Sequence, residues 1–396
     1  MLNGLKKNRG IVRFLFFLLY SIGFCGSMSA TQISLLTSMP SERAVFTLWG
    51  HTAIRVKTET ADVVYNYGVF EFKEGFIYKF VKGETDYWVE KESTGYAILE
   101  AVYKNVYMYE QVLDITEEEA LIIKEKLEEN AKEENKFYRY NFFYDNCATR
   151  PRDLIENALG PFQYPTLNNQ DSYRDKIHQL TANNPWLMVG IDFCLGRETD
   201  EVVKDYDLMF LPYYMMVSYE GTKRLNSEGV YIPLIKSKNV MNSQEEETVK
   251  TPSVILHPVF LFCVFMLLMI GCTIIQYKRK SESYLVDAVV YPLYGVFGLL
   301  AFFLAFISTH PCTNPNFNLL WCNPLQLLMP IVCYVPIAKK LLRPYLWFNL
   351  VMCSLALIGW NWLWQEFHIA FLPLIMVMII RSSYLLFRRM KEKNRL

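Results

Sequence analysis

From residue 254 to 387 the chain is built of apolar runs close to the length that crosses a bilayer, and no other property restricts its folding as strongly. Five runs separate: 254–276, 288–309, 319–338, 344–364 and 367–387. A hydrocarbon core about 30 Å thick takes about 20 helical residues, so each run is expected to span it. The third is interrupted by Pro324, Pro330 and Pro336, which are expected to leave a lateral opening. Lys278, Arg279 and Lys280 follow the first run, Lys339, Lys340 and Arg343 the third, and Arg388, Arg389, Lys391, Lys393 and Arg395 the fifth, while the connections after the second and fourth contain no Lys or Arg. By the positive-inside rule the basic ends, including the C-terminus, are cytoplasmic, and everything before residue 254 faces the opposite side together with the two uncharged connections. Trp360, Trp362 and Trp364 read as an interfacial belt at the outer end of the fourth span.

The N-terminus agrees with that topology. Lys6, Lys7, Arg9 and Arg13 precede an apolar run from Phe14 to Phe24 and the small residues Gly26, Ser27, Ser29 and Ala30, the order of a signal peptide or, failing cleavage, an N-terminal anchor. The expected division is therefore 1–30 targeting segment, 31–235 exported domain, 236–253 polar linker and 254–396 helical membrane domain. The 40 basic and 40 acidic residues cancel over the whole chain, but residues 31–250 hold 24 basic against 36 acidic. An acidic exported domain does not fit nucleic acid. Its aromatic content supports a packed core rather than disorder.

Between Gln32 and Leu113, β-branched and aromatic runs broken by glycine, among them 52–56, 63–67 and 96–103, read as strands. Thr116-Glu-Glu-Glu119 is a capping box for a solvated helix to about Glu134. An extended stretch 137–144 leads to Asn146-Cys147 and a helix whose first turn is marked by Pro151. Cys147 thus sits at a helix mouth, where free N–H groups and the nearby Arg150 and Arg152 favour a thiolate.

A thiolate catalyst needs an acid–base partner. His51, in Trp49-Gly-His-Thr-Ala-Ile-Arg-Val56, begins a strand, whereas His178 lies in a polar helical stretch and reads as a surface residue. Asn66 is the candidate to orient the His51 ring, with Tyr67 and Asn146 as rivals, since alternation puts only one of Asn66 and Tyr67 on the His51 face. No histidine and cysteine spacing suits zinc, and no glycine-rich phosphate loop occurs, so neither metal nor cofactor is expected. Cys194 reads as a packed residue. Cys312 and Cys322 both fall at the second external connection, where a disulfide or two separate thiols are equally consistent.

Histidine on an early strand, a polar residue on the next, then Asn-Cys opening a helix resembles the permuted papain-like fold of the NlpC/P60 superfamily, with its lecithin:retinol acyltransferase-like branch. Ser34-Leu-Leu-Thr37, Trp49 to Val56, Tyr65-Asn-Tyr-Gly-Val-Phe70, Asn146-Cys-Ala-Thr-Arg150 and Arg152-Asp-Leu-Ile155 resemble more closely the Lnb family, lipoprotein N-acyltransferases of Bacteroidota. His310, Asn316-Phe-Asn-Leu-Leu-Trp321 and Asn323-Pro324 stand where that family has a polar external loop. Glu71 replaces an expected Asp in Phe70-Glu-Phe72.

The resemblance implies an α+β papain-like domain ahead of about five spans, in a bacterial inner (cytoplasmic) membrane with the exported domain in the periplasm. It also implies transfer of a fatty acyl chain from a phospholipid donor to the α-amine of a diacylated lipoprotein. Cys147 would be the nucleophile, His51 the base and Asn66 its orienter; Tyr67, Asn146 and Arg150 would support them, helix-mouth amides would stabilise the oxyanion, and His310, Asn316, Asn318 and Asn323 would meet head groups. A membrane-tethered cysteine peptidase or amidase acting on peptidoglycan is the rival enzyme, and a binding module with a structural Cys147 the non-catalytic alternative.

Overall fold

A computed structural model describes residues 30–242, 253–361 and 365–393; the targeting segment, most of the expected linker, Trp362 and Trp364 lie outside the described residues. The N-terminal part is organised by a seven-stranded sheet. In chain order its elements are β1 (Gln32–Ser38), β2 (His51–Lys57), β3 (Asp62–Val69), α1 (Phe76–Lys82), β4 (Asp86–Ser93), α2 (Thr94–Tyr103), β5 (Met108–Leu113), α3 (Glu117–Asn130), β6 (Phe137–Arg139) and α4 (Thr149–Leu159). Then come β7 (Phe162–Gln163), α5 (Tyr173–Thr181), α6 (Pro185–Cys194), α7 (Pro212–Gly221), β8 (Lys223–Leu225), β9 (Tyr231–Pro233) and β10 (Ile235–Val240). The antiparallel order is β10-β5-β1-β2-β3-β4-β6, and β7-β8-β9 form a small second sheet.

Both faces of the large sheet are covered. Ile33, Leu35, Ile54, Tyr65 and Tyr67 pack with Ile123 and Leu127 of α3 and Leu154 and Ile155 of α4; Leu36, Ala53 and Val64 pack with Ala97 and Ala101 of α2 on the opposite side. The capping box forms at Thr116 as its spacing predicts, with reciprocal bonds to Glu119 of 3.3 and 2.8 Å. Two expectations fail. Residues 96–103, read as a strand, are helix α2: Ser93 caps it at the Tyr96 amide and Ala97 and Ala101, four apart, make the buried stripe, so helical spacing prevails over aromatic content. Residues 236–240, read as linker, pair as β10 with β5.

The membrane part contains α8 (Pro258–Lys278), α9 (Leu285–Phe306), α10 (Met329–Tyr334), α11 (Leu342–Ile358) and α12 (Phe371–Lys393). Among the described residues four helices are long and apolar enough to cross a membrane, rather than five. The third expected span is broken into 3-10 turns at Phe317–Leu320 and Pro324–Leu328, short α10, and a further 3-10 turn at Lys339–Leu341. Its prolines lack the amides a continuous helix requires. Its first part, with Asn318, Trp321, Asn323, Gln326 and Met329 buried, is sheltered by protein, the condition under which such backbone is tolerated at membrane depth, whereas residues 334–337 are exposed. A Cβ at Gly298 of α9 would lie 2.5 Å from the Asn323 carbonyl carbon, so only glycine permits this approach. Gln326 Nε2 donates to the Trp321 carbonyl and to Asn349 Oδ1.

The two parts are fastened at one end of the bundle. Asn316 Nδ2 donates to the Phe193 and Cys194 carbonyls and Asn318 Nδ2 to that of Asp192, all in α6, while Gly196 N donates to the Cys312 carbonyl at 2.7 Å. Behind α6, fully buried Arg174 bonds Asp192 at 2.7 Å and Asp200 at 2.5 Å. At the other end Arg389 reaches the Lys339 carbonyl and Arg388 those of Ser281 and Ser283, gathering the basic connections on one side. Substituting Arg174→Met leaves two carboxylates without their cation, and the expected cost is about 3–5 kcal/mol. It is measured as a lowered unfolding midpoint of the detergent-solubilised protein; an unchanged midpoint would refute the clamp.

Candidate active site

Pairing of β2 with β3 sets Ala53 opposite Asn66. His51, two residues before Ala53, shares that face by alternation, whereas Tyr65 and Tyr67 pack with α3 and α4 behind it. His51 Nε2 meets Asn66 Oδ1 at 2.5 Å, and Asn66 Nδ2 turns to Glu92 Oε1 at 3.5 Å. The glutamate holds the amide so that its oxygen faces the ring, and Nε2 is then the donor. The other ring nitrogen is left for Cys147, with which the imidazole is also hydrogen-bonded.

Cys147 lies at the mouth of α4, only 8% exposed. Asn146 shapes the turn: its Oδ1 accepts from the Ala148 and Thr149 amides at 2.7 and 3.0 Å, and its Nδ2 donates to the Phe142 and Phe210 carbonyls. Asn146 is therefore a cap rather than a partner of His51, and the two amides it occupies are not free to serve an oxyanion. Besides His51, the Thr52 backbone amide and the Tyr140 hydroxyl favour the thiolate form of the sulfur. Gly68 provides the space. It lies at φ +86°, at a bulge in the β3–β4 pairing, and a Cβ there would come 3.3 Å from the Tyr140 ring and 3.5 Å from Cys147 Cβ.

Burial alone would push the Cys147 thiol up and the His51 imidazole down. Attraction and hydrogen bonding between them reverse both effects, leaving the thiol below and the imidazole above their ordinary ranges. The pair thus favours thiolate and imidazolium at pH values where isolated groups would be thiol and imidazole. Burial raises Tyr140 well above the usual phenol range, which keeps it a neutral donor. Glu92 is raised by burial and by Glu100.

Other expected participants lie elsewhere. The Tyr67 hydroxyl accepts from Asn130 at 3.0 Å. Arg150 is bound to Asp145 and stacks 3.6 Å over Tyr138, and Arg152 pairs with Asp153, so neither lies on the sulfur. Asn316 and Asn318 are spent on α6 carbonyls and fasten the two parts instead of facing a lipid. Asn323 is buried against α9. Cys312 and Cys322 are both free: Cys322 donates to the Tyr294 carbonyl at 3.0 Å and Cys312 lies 3.7 Å from the Tyr144 hydroxyl. His178, read as a surface residue, is half-buried on Asp192 at 2.9 Å. Of the expected loop residues His310 borders the cleft, its Nε2 on the Phe80 carbonyl.

A cleft of about 490 Å³ is lined by Tyr140, the neighbour of Cys147 at Gly68, and not by Cys147 or His51 themselves. Arg139, Tyr140 and Asp145 form one wall, Gly83 and Glu84 another, and Thr309 and His310 of the membrane part close it. Tyr140 and Glu92 escaped the sequence reading because only the β3–β4 and β4–β6 registers reveal their neighbours. Among the described residues no group of three or more His, Cys, Asp or Glu side chains is gathered as a metal site requires.

A family model for the Lnb N-terminal periplasmic domain matches residues 26–179, and one for the Lnb transmembrane domain matches residues 250–393. The chain belongs to the Lnb family, which makes it a membrane protein with a periplasmic N-terminal domain and points to an enzyme of lipoprotein maturation. No curated protein and no solved structure matches it.

Alkylation of Cys147 by iodoacetamide is expected to persist at pH values below the range of free cysteine. His51→Ala should move the midpoint upward and Asn66→Ala should give a smaller shift; a midpoint insensitive to His51→Ala would show that the two groups do not titrate together.

Proposed function

We propose that this Lnb-family chain is a lipoprotein N-acyltransferase, moving a fatty acyl chain from a phospholipid through a Cys147 thioester to the α-amine of a lipoprotein's diacylglyceryl-cysteine. The observation that carries the reading is the Cys147–His51 pair, whose neighbour Tyr140 lines a cleft closed by the membrane part's own Thr309 and His310. Histidine on β2, its asparagine on β3 and cysteine opening α4 support a permuted papain-like domain. Counting the broken stretch 317–341 as a crossing gives five, with the C-terminus in the cytoplasm of an inner-membrane protein.

In the first half-reaction the Cys147 thiolate adds to the ester carbonyl of the phospholipid. The Tyr140 hydroxyl and the Thr52 amide, already directed at the sulfur, stand closest to where the carbonyl oxygen becomes anionic. Collapse breaks the ester C–O bond, and His51 passes its proton to the departing lysophospholipid hydroxyl, leaving the thioester and a neutral imidazole. In the second half the lipoprotein α-amine adds to the thioester while His51 accepts its proton. Thiolate leaves, and the imidazolium–thiolate pair is restored with an amide as product. Asn66 holds the ring in the tautomer both steps use, and Glu92 holds Asn66.

Cys147→Ala and His51→Ala are each expected to abolish lipoprotein N-acylation while the protein remains inserted and folded. Tyr140→Phe should slow it by about 10²-fold, the usual effect of removing one oxyanion donor. Mass spectrometry of lipoprotein N-terminal peptides from a deletion strain is the deciding measurement. Unchanged N-acylated peptides would overturn the proposal, and altered muropeptides in their place would favour a peptidoglycan hydrolase.

A further inference from the structure

Helix α1 buries none of its residues, although five of its seven are apolar or aromatic. Ile77 is 77% exposed and Tyr78 62%, and Phe72, just before the helix, is 74% exposed. Such a contiguous apolar surface marks an interaction site. Its position identifies what it meets. The Tyr78 ring lies 6.5 Å from that of Phe303, one turn inside the outer end of α9. Thr309 N donates to the Lys82 carbonyl at 2.9 Å and Ser308 Oγ to that of Val81 at 2.8 Å, so α1 is tied to the end of a membrane-crossing helix. That is the level of the lipid head groups, where aromatic rings sit favourably and Lys79 and Lys82 can reach anionic phosphates.

The same segment leads inward. Phe80 stacks on Phe76 at 5.8 Å, Phe76 on Phe70 at 5.7 Å, Phe70 meets Tyr87 at 5.2 Å, and Tyr87 stacks on Tyr140 at 4.4 Å. Tyr140 is hydrogen-bonded to the Cys147 sulfur, so a continuous aromatic row joins the exposed helix to the thiol. We propose that residues 70–82 insert into the outer leaflet and that this row is the binding track by which a phospholipid acyl chain reaches Cys147. Insertion stands on the contacts of α1 alone; the track rests on the acyl-transfer reading. The chain would follow the partly exposed Phe80, Phe76 and Phe70, behind which Tyr87 is buried, without leaving apolar surroundings, which matters because each methylene exposed to water costs about 0.8 kcal/mol.

The test uses the full-length protein in nanodiscs of phosphatidylethanolamine and phosphatidylglycerol, with p-benzoylphenylalanine at Ile77 or, as control, at Leu121, which is exposed on α3. Irradiation is expected to give phospholipid adducts at position 77 and not at 121, detected by mass spectrometry; no adduct at 77, or equal adducts at both, overturns insertion. Separately, Phe76→Ala with Phe80→Ala should slow acylation of Cys147 from the nanodisc lipid about tenfold, the scale of losing two aromatic contacts, while leaving its alkylation by iodoacetamide unchanged. Unchanged acylation overturns the track. Lipid adducts at 77, together with a wild-type protein that never forms a thioester in the same nanodiscs, would refute the acyl-transfer reading and leave insertion intact; a thioester in the wild type without adducts at 77 would do the reverse.

Discussion

Asp192 joins the two parts of the molecule. Its carboxylate, 1% exposed, takes Arg174 and His178 from α5, and its backbone carbonyl accepts from Asn318 in the membrane part. Neither set of bonds would hold alone. The ionised side chain is tolerated inside the protein only because Arg174 compensates it, and Arg174 is in turn satisfied by Asp200, Thr199 and the Gly196 carbonyl. With α6 fixed this way, the loop 308–318 is fixed as well, and that loop closes the cleft that Tyr140 lines. The site is therefore a property of the junction. A domain that merely hung from a tether would have the same thiol and imidazole but no wall at Thr309 and His310.

The membrane part obeys a stricter rule than the periplasmic domain, because backbone groups within the bilayer have no water to turn to. Prolines that would be ordinary in a loop force the stretch 317–341 out of a continuous helix, and the freed groups must be met by protein. Gln326 does this at the Trp321 carbonyl and is itself held by Asn349, which with Ser382 and Tyr291 makes a buried chain of side-chain hydrogen bonds across α9, α11 and α12. The ion pair of Arg381 with Asp287, both fully buried, locks α12 to α9 closer to the basic side. Two glycines of α9, Gly295 and Gly298, give the broken stretch its seat.

What the sequence made legible divides along physical lines. Signals that act over a few residues were readable: the capping box at Thr116, the proline in the first turn of α4, cysteine at that helix mouth, and basic clusters after apolar runs. Which polar residue would face His51 was left to strand alternation, and the β2–β3 register resolves it in favour of Asn66. Signals that depend on register or on a distant partner were not readable. Glu92 and Tyr140 stand beside Asn66 and Cys147 only because β4 and β6 pair where they do. Residues 96–103 carry the composition of a strand, and their helical stripe is only two alanines, too faint to outweigh aromatic content. Asn316 and Asn318 looked like head-group ligands because an external polar loop offers no hint of the helix that docks on it.

The burial of Cys147 bears on which acceptor the proposed thioester would meet. A thioester open to solvent is hydrolysed, so a transferase must exclude water until an amine arrives, whereas a hydrolase must admit it. Cys147 is 8% exposed and lies with Tyr140 and Tyr138 around Gly68, and Tyr140 lines a cleft that a membrane loop closes. An acyl chain lying on the aromatic row from α1 would cover the approach that remains on that side. In the proposed reading the lipoprotein amine, anchored in the same leaflet by its own two chains, would be held at a high local concentration there without being drawn from bulk water. The geometry that makes the thiol hard to reach from solution is thus the geometry that would favour aminolysis over hydrolysis, and in the proposed reading it follows from placing the cysteine–histidine pair next to a membrane domain rather than from any change in the pair itself.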